Sequence, residues 1–203
     1  MPSPRRMLLG AFGDPGHAFP MIALGRALVG RGHEVTLQTW SRWQTNVEAE
    51  GMAFAPAPEY KVFPSGPEPL DFYAAAEQAT IDTLPLVREL RPDVVVSDIL
   101  TLAPALAAEL EGHRCATLIP HIYPYGEPHF PIYSLGARLP GTAFGRRMWR
   151  SLQPPVARGL ELGRDQLNRS RGRVGLDGVD HAVMHDATIA GLDLHGFDPA
   201  VFG

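Results

Sequence analysis

The 203-residue sequence is poor in residues that would point to several common classes of protein. Its single cysteine, Cys115, excludes an internal disulfide framework and a zinc site built from cysteines, and its apolar neighbours predict a buried structural thiol. Lys61 is the only lysine, and the net charge of −4 comes without any basic block. We therefore expect no binding to nucleic acid.

Long apolar runs are also missing. No run is long enough to cross a bilayer, and the one that follows Arg5 and Arg6 turns polar at Gly13 and Asp14, before a signal peptide would be complete. We expect a cytoplasmic protein without a membrane span. Hydrophobic residues make up 45% of the chain and charged residues 20%, which is typical of a folded globular domain.

What the sequence does contain is an alternation of strands and helices. Short apolar runs predict strands at residues 6–12, 34–39, 52–55, 93–97, 115–119 and 187–192. Helical spacing of apolar residues predicts helices at 20–30, 41–50, 70–90 and 103–110, and a helical region at 144–170 that is interrupted at Pro154 and Pro155. This alternation predicts an α/β fold with a doubly wound parallel sheet of about six to seven strands.

Two stretches rich in proline interrupt the alternation. Residues 56–69 predict a surface loop, and residues 120–143, which also carry glycines and tyrosines, predict a long structured loop. Long ordered loops are often functional, so residues 120–143 are a candidate binding segment.

The segment from Gly10 to His17 places three glycines and a histidine after the first predicted strand, where doubly wound sheets carry their functional groups. A dinucleotide site would need G-x-G-x-x-G and an acid at the end of the second strand. Here Gly10, Gly13 and Gly16 are spaced by three, and residues 38–41 read Gln-Thr-Trp-Ser, without an acid. A phosphate-binding P-loop is disfavoured further, because no Gly-Lys-Ser/Thr follows.

His17 lies where the first helix should start, and two interpretations of it are open. It can cap the helix or fill space beside the turn. It can also act as a general base, because the helix dipole disfavours the imidazolium and would lower its pKa. Such a base needs a carboxylate to orient it. Asp98, which ends the fourth predicted strand at the same edge of the sheet, is the candidate, although it also fits a helix cap or a turn acid.

The stretch around His17 resembles the N-terminus of family 1 glycosyltransferases, which have the GT-B fold and include plant UDP-glycosyltransferases and bacterial natural-product enzymes. The shared pattern is a glycine turn, Gly-His-x-x-Pro at 16–20, an apolar helix, and Arg-Gly-His-x-Val-Thr at 31–36. RPDVVVSDILTLAPALAAELEGHRCATL is similar to the family's strand that bears the aspartate, and LNRSRGRVGL to one of its helix ends. The similarity covers nearly the whole chain, in family order.

The resemblance implies a catalytic role for two residues. His17 would deprotonate the acceptor hydroxyl and Asp98 would pair with it. A nucleoside diphosphate would leave as the anomeric carbon is inverted, with no metal, no cofactor and no covalent intermediate. His33 also matches the pattern, but at a strand start, where its role would be structural.

The resemblance further implies a pocket for a small aglycone in this half of the enzyme. From the glycine turn, Gly13, Asp14, Gly16 and Phe19 would contact the substrate. The loop at 120–143 would help to line a pocket for a flat or apolar aglycone, although the same side chains can instead pack the loop onto the sheet. The candidates in that loop are His121, Tyr123, Tyr125, His129, Phe130 and Tyr133. Weaker candidates are Trp40 and Trp43. Tyr60, Phe63 and Phe72 border the proline-rich loop at 56–69, which would act as a flap over the pocket.

No segment resembles the family's donor-binding domain, which binds the UDP- or TDP-sugar. We therefore expect residues 1–203 to form a single N-terminal, Rossmann-like acceptor-binding domain, inactive alone, with the C-terminal donor-binding domain absent from this chain. The chain would be one domain of a longer enzyme, one subunit of a two-chain enzyme, or a non-catalytic helper. A different class is also open, namely a non-catalytic Rossmann-like protein that binds a nucleotide or metabolite.

Overall fold

The computed structural model describes residues 3–57, 73, 75–120 and 140–180. Within these ranges one parallel sheet has the strand order β3-β2-β1-β4-β5. The strands are β1 (Arg6–Gly10), β2 (Glu34–Thr39), β3 (Ala53–Pro56), β4 (Val94–Asp98) and β5 (Arg114–Leu118). The predicted α/β class is confirmed, but this sheet has five strands rather than six to seven. The strand predicted at 187–192 lies outside the described residues.

Six α-helices accompany these strands: α1 (Pro15–Val29), α2 (Gln44–Ala49), α3 (Ala76–Leu90), α4 (Ala103–Leu110), α5 (Ala143–Ser151) and α6 (Gln153–Val174). Residues 41–43 form a short 3-10 helix, so the helix predicted at 41–50 is α-helical only from Gln44. The helical region at the C-terminal side divides at Leu152, and Pro154 and Pro155 fall in the first turn of α6, where a missing backbone N–H costs little. Every helix described is too short or too polar to cross a bilayer.

The two faces of the sheet are covered by different helices, as a doubly wound fold requires. Successive residues of β1 point to opposite faces. Leu9 packs with Met21 of α1 and Val47 of α2 on one face, and Leu8 packs with Val87 of α3 on the other. Both faces are therefore buried, which explains why these strands are apolar at consecutive positions.

The strand order places a topological switch point between β1 and β4. The chain leaves β1 through α1 towards β2, and it leaves β4 through α4 towards β5 on the opposite face. A crevice opens at the carboxyl ends of two strands whose connections diverge in this way, and ligands bind there in open α/β sheets.

Candidate functional site

His17 lies in the first turn of α1, above the switch point. The predicted start at residue 20 is wrong, because α1 begins at Pro15. Asp14 is the N-cap, and its carboxylate accepts a hydrogen bond from the backbone N–H of Gly16 at 2.7 Å. Proline suits the next position because its φ is already helical and its missing N–H would have no partner there. His17 is therefore held by helical backbone and not by a loop.

The imidazole of His17 contacts the carboxylate of Asp98. Its Nδ1 atom lies 2.8 Å from each carboxylate oxygen. Asp98 ends β4, is only 1% exposed, and also accepts hydrogen bonds from the backbone N–H groups of Phe12 and Leu100, each at 3.1 Å. A carboxylate only accepts, so Nδ1 of the ring carries the proton and Nε2 is the basic nitrogen of the neutral form.

The structure thus brings together the two residues that the sequence pairs, while their catalytic roles stay predictions. It overturns the expected direction of the pKa shift. The hydrogen bond to Asp98 raises the pKa of His17 above its ordinary value, burial opposes the rise, and the negative charges of Asp98 and Asp14 add to it. The expected lowering is wrong because a carboxylate in direct contact outweighs the helix dipole.

The raised pKa predicts that the stability contributed by His17 depends on pH. The folded-state pKa lies above the unfolded value of about 6.5, so this contribution is complete below about pH 6.5 and is lost as the pH rises through the folded-state pKa. The variant His17→Gln keeps a hydrogen-bond donor towards Asp98. We expect its free energy of unfolding to fall below that of the parent by a larger amount in acid than at high pH. Urea unfolding at a series of pH values measures this loss. A loss that is constant, or that grows with pH, would contradict the assigned shift.

The loop at Gly13 is held by residues that follow β2. The Trp43 indole donates to the carbonyl oxygen of Gly13 at 2.8 Å, and the Arg42 guanidinium donates to the same oxygen. The Arg42 guanidinium also lies 5.1 Å from the ring centroid of Trp40 and 5.2 Å from that of Trp43. A Cβ at Gly13 would come within 1.9 Å of the Trp40 ring, so glycine is required for this close approach.

Some of the remaining predicted residues lie within the described part of the chain, and the others lie outside it. Asp14 and Gly16 are occupied by the cap of α1, whereas Phe19 is 56% exposed and meets the ring of Trp43 with the centroids 5.1 Å apart. His33 accepts a hydrogen bond from the backbone of Arg5, in keeping with a structural role. The other candidates lie outside the described residues, namely Tyr60, Phe63, Phe72, His121, Tyr123, Tyr125, His129, Phe130 and Tyr133.

A cleft opens at the carboxyl ends of β1, β2, β3 and β4, although neither His17 nor Asp98 is among its lining residues. Its volume is about 650 Å³ when the open solvent at its mouth is included. Phe12 and Trp40 form one wall, with their rings edge to face and their centroids 5.0 Å apart. The Phe12 ring also meets the ring of His17 with the centroids 6.1 Å apart. Phe12 therefore joins the cleft to the His17–Asp98 pair.

Of the side chains that line this cleft, sequence reasoning named Trp40, as a weaker candidate, and missed the others. Phe12 and Gln38 both lie at carboxyl ends of strands, so the rule that selected Asp98 would have found them as well. Tyr73 and Thr83 carry no such signal, because their place in the lining depends on how α3 packs beside the sheet.

The described residues offer neither a metal site nor a reactive thiol. The described residues contain no group of three His, Cys, Asp or Glu side chains placed to bind a metal ion. Burial, with a smaller contribution from the charge of Glu109, raises the pKa of the Cys115 thiol to about 12. Cys115, which the sequence predicts to be a buried structural thiol, is half-buried, and its raised pKa keeps it in the less nucleophilic thiol form.

The sequence and the fold are similar to those of several known proteins. No protein-family model matches the sequence. The chain is 25% identical over 199 residues to 4'-demethylrebeccamycin synthase of Lentzea aerocolonigenes, covering 84% of this chain and 47% of that protein. Among the solved structures with the same fold is the kitacinnamycin glycotransferase, with a TM-score of 0.54 and 20% identity; the match covers 88% of this chain and 43% of that one. Another is the glycosyltransferase VinC in complex with dTDP, with a TM-score of 0.52 and 19% identity; the match covers 88% of this chain and 46% of that one.

The chain spans about half the length of the relatives that it matches. Its parallel sheet has the Rossmann-like fold of one half of GT-B glycosyltransferases, as the sequence resemblance implies.

Proposed function

We propose that this chain is the acceptor-binding half of a glycosyltransferase that moves a sugar from a nucleoside diphosphate sugar to a hydroxyl group of a small natural product. The observation that carries the proposal is the 2.8 Å contact of His17 Nδ1 with both oxygens of Asp98, at the switch point of the sheet. The sequence similarity to 4'-demethylrebeccamycin synthase, together with the fold shared with the kitacinnamycin glycotransferase and the glycosyltransferase VinC, supports this class of reaction.

His17 acts as the general base. Because Asp98 holds the proton on Nδ1, Nε2 takes the proton of the acceptor hydroxyl, and the buried carboxylate stabilises the positive charge that forms on the ring. The acceptor oxygen then forms its bond to the anomeric carbon as the bond from that carbon to the diphosphate breaks. The nucleoside diphosphate leaves with the electron pair, and the configuration of the sugar inverts.

The acceptor binds in the cleft that Phe12 and Trp40 border. The cleft is lined mainly by apolar side chains with a few polar groups, as small-molecule pockets usually are. Since Phe12 lines the cleft and also meets the ring of His17, an acceptor against Phe12 lies beside the base. The donor, a UDP- or TDP-sugar, binds mainly to a second domain in the same polypeptide or in a separate subunit. The dTDP complex of VinC supports a nucleoside diphosphate as the donor's leaving group.

We expect residues 1–203 to bind aglycones but not nucleotide sugars. Isothermal titration calorimetry with UDP- and TDP-glucose, and then with polyphenol and macrolide aglycones, measures both. Phe12→Ala should abolish the aglycone heat because it removes a wall of the cleft. Phe144→Ala, on an exposed side chain of α5 that does not line the cleft, is the matched control and should leave the heat unchanged. Tight nucleotide binding by this chain would instead favour a non-catalytic Rossmann-like nucleotide-binding protein.

A further inference from the structure

The cleft beside Phe12 holds a buried polar pair within a largely apolar lining. Gln38 of β2 and Thr83 of α3 both line it, and they are 4% and 0% exposed. The Gln38 side-chain amide donates to the Thr83 hydroxyl at 3.4 Å, near the long limit for a hydrogen bond. Most of the remaining lining is alanine, leucine and aromatic side chains.

The register of the sheet explains why this pair lies at the cleft. Gln38 pairs with Gly10 of β1, and Gly10 pairs with Ser97 of β4, so these three positions face the same side of the sheet as α3 and α4. Pro104 of α4 packs over Gly10, where a Cβ would meet it at 2.5 Å. Gln38 and Ser97 lie on opposite sides of the Gly10 position that Pro104 covers. Gln38 lines the cleft, whereas Ser97 does not.

The amide of Gln38 has more hydrogen-bonding capacity than the protein uses. A carboxamide offers two N–H donors and an acceptor oxygen. Among the described residues its side chain makes one hydrogen bond, the long one to Thr83. An amide desolvated by an apolar ligand would be left with unpaired groups, which is costly, whereas a ligand with its own polar group would pair with it.

We propose that Gln38, positioned by Thr83, selects acceptors that are flat and mainly apolar and that carry, in addition to the hydroxyl that receives the sugar, one hydrogen-bonding group, a hydroxyl or a carboxamide, at the end that enters the cleft. This inference rests on the proposed function and names the class of acceptor. Phe12 and Trp40 provide the apolar wall, and the Gln38–Thr83 pair provides the one deep polar contact. A site of this kind rejects an analogue that lacks the polar group more strongly than an apolar pocket rejects a change of shape.

The test is a binding measurement without any sugar donor. Residues 1–203 are titrated with naphthalene, 2-naphthol and 2-naphthamide, which share one flat frame and differ in the polar group. We expect the two polar ligands to bind about tenfold more tightly than naphthalene. Gln38→Leu removes the amide at similar volume, and Thr83→Val removes the hydroxyl. Both should reduce the preference to less than about twofold while naphthalene still binds.

Ser97→Ala is the matched control. Its hydroxyl is buried in the same row, has no hydrogen-bond partner among the described residues and does not line the cleft, so the preference should persist. Circular dichroism melts establish that the variants are folded. If only one of Gln38→Leu and Thr83→Val folds, that variant alone tests the inference. Equal binding of the three ligands, binding of none, or a preference that survives Gln38→Leu would overturn the inference. Since no sugar moves here, that failure leaves the role of His17 standing, and a failure of sugar transfer leaves the ligand preference standing.

Discussion

Replacing His17 by alanine should lower the turnover of an enzyme that combines this chain with a donor-binding half by a factor of about 10² to 10⁴, the usual contribution of a general base. The reason is that, within the part of the chain that the structure describes, His17 is the one histidine at the carboxyl ends of the strands. The fold should persist, because the ring is partly exposed and Asp14 still caps α1. Initial rates of sugar transfer at saturating donor and acceptor measure the effect.

The matched control for this substitution is His33→Ala. His33 also follows a glycine in a sequence pattern shared with the family. It precedes β2, at the opposite end of the sheet from the cleft, and its ring accepts a hydrogen bond from the backbone N–H of Arg5. The substitution His33→Ala should lower the free energy of unfolding and leave turnover near that of the parent enzyme. If His17→Ala also retains turnover within a few-fold of the parent, His17 is not the base. If added imidazole partly restores the turnover of His17→Ala, the loss comes from the missing base and not from a displaced backbone.

The pairing of His17 with Asp98 could be predicted because it needs only topology. The strands β1 and β4 read as buried strands since Leu8, Leu9, Val95 and Val96 are apolar at consecutive positions, which a sheet covered on both faces requires. Once two such strands are parallel, their carboxyl ends share one edge. The residues that follow them are then neighbours, whatever the details of packing.

The features that sequence reasoning got wrong depend on distances and on helix packing. The start of α1 was marked by Asp14 followed by Pro15, a cap and a first helical residue, but apolar periodicity begins only later. The direction of the His17 pKa shift follows from a contact of 2.8 Å, which no spacing along the chain specifies. The cleft depends on how α3 lies beside β2, so Thr83 could not be assigned to it in advance.

Asp98→Asn should lower turnover by a factor on the order of 10³ or more, although it changes the shape of the side chain little. Asp98 accepts hydrogen bonds from His17 Nδ1 and from the backbone N–H groups of Phe12 and Leu100. An asparagine has one acceptor oxygen, so its NH₂ group must face either a backbone N–H or the imidazole. Facing the imidazole, it donates to Nδ1 and moves the ring proton to Nε2, which then cannot accept the proton of a hydroxyl.

The same substitution separates a functional pair from a merely structural one through pH. Asp98 raises the pKa of His17, so the pKa of His17 in Asp98→Asn should fall, and the acidic limb of the rate profile should move to lower pH with it. Asp14→Asn is the matched control, since asparagine is an equally good N-cap and only the smaller charge contribution is lost. An NMR titration of the His17 ring and the pH dependence of kcat/KM measure the two shifts independently. A pKa that falls while the rate profile stays in place would show that the group limiting the rate is not His17, because a base that must be neutral to react imposes its own pKa on the reaction.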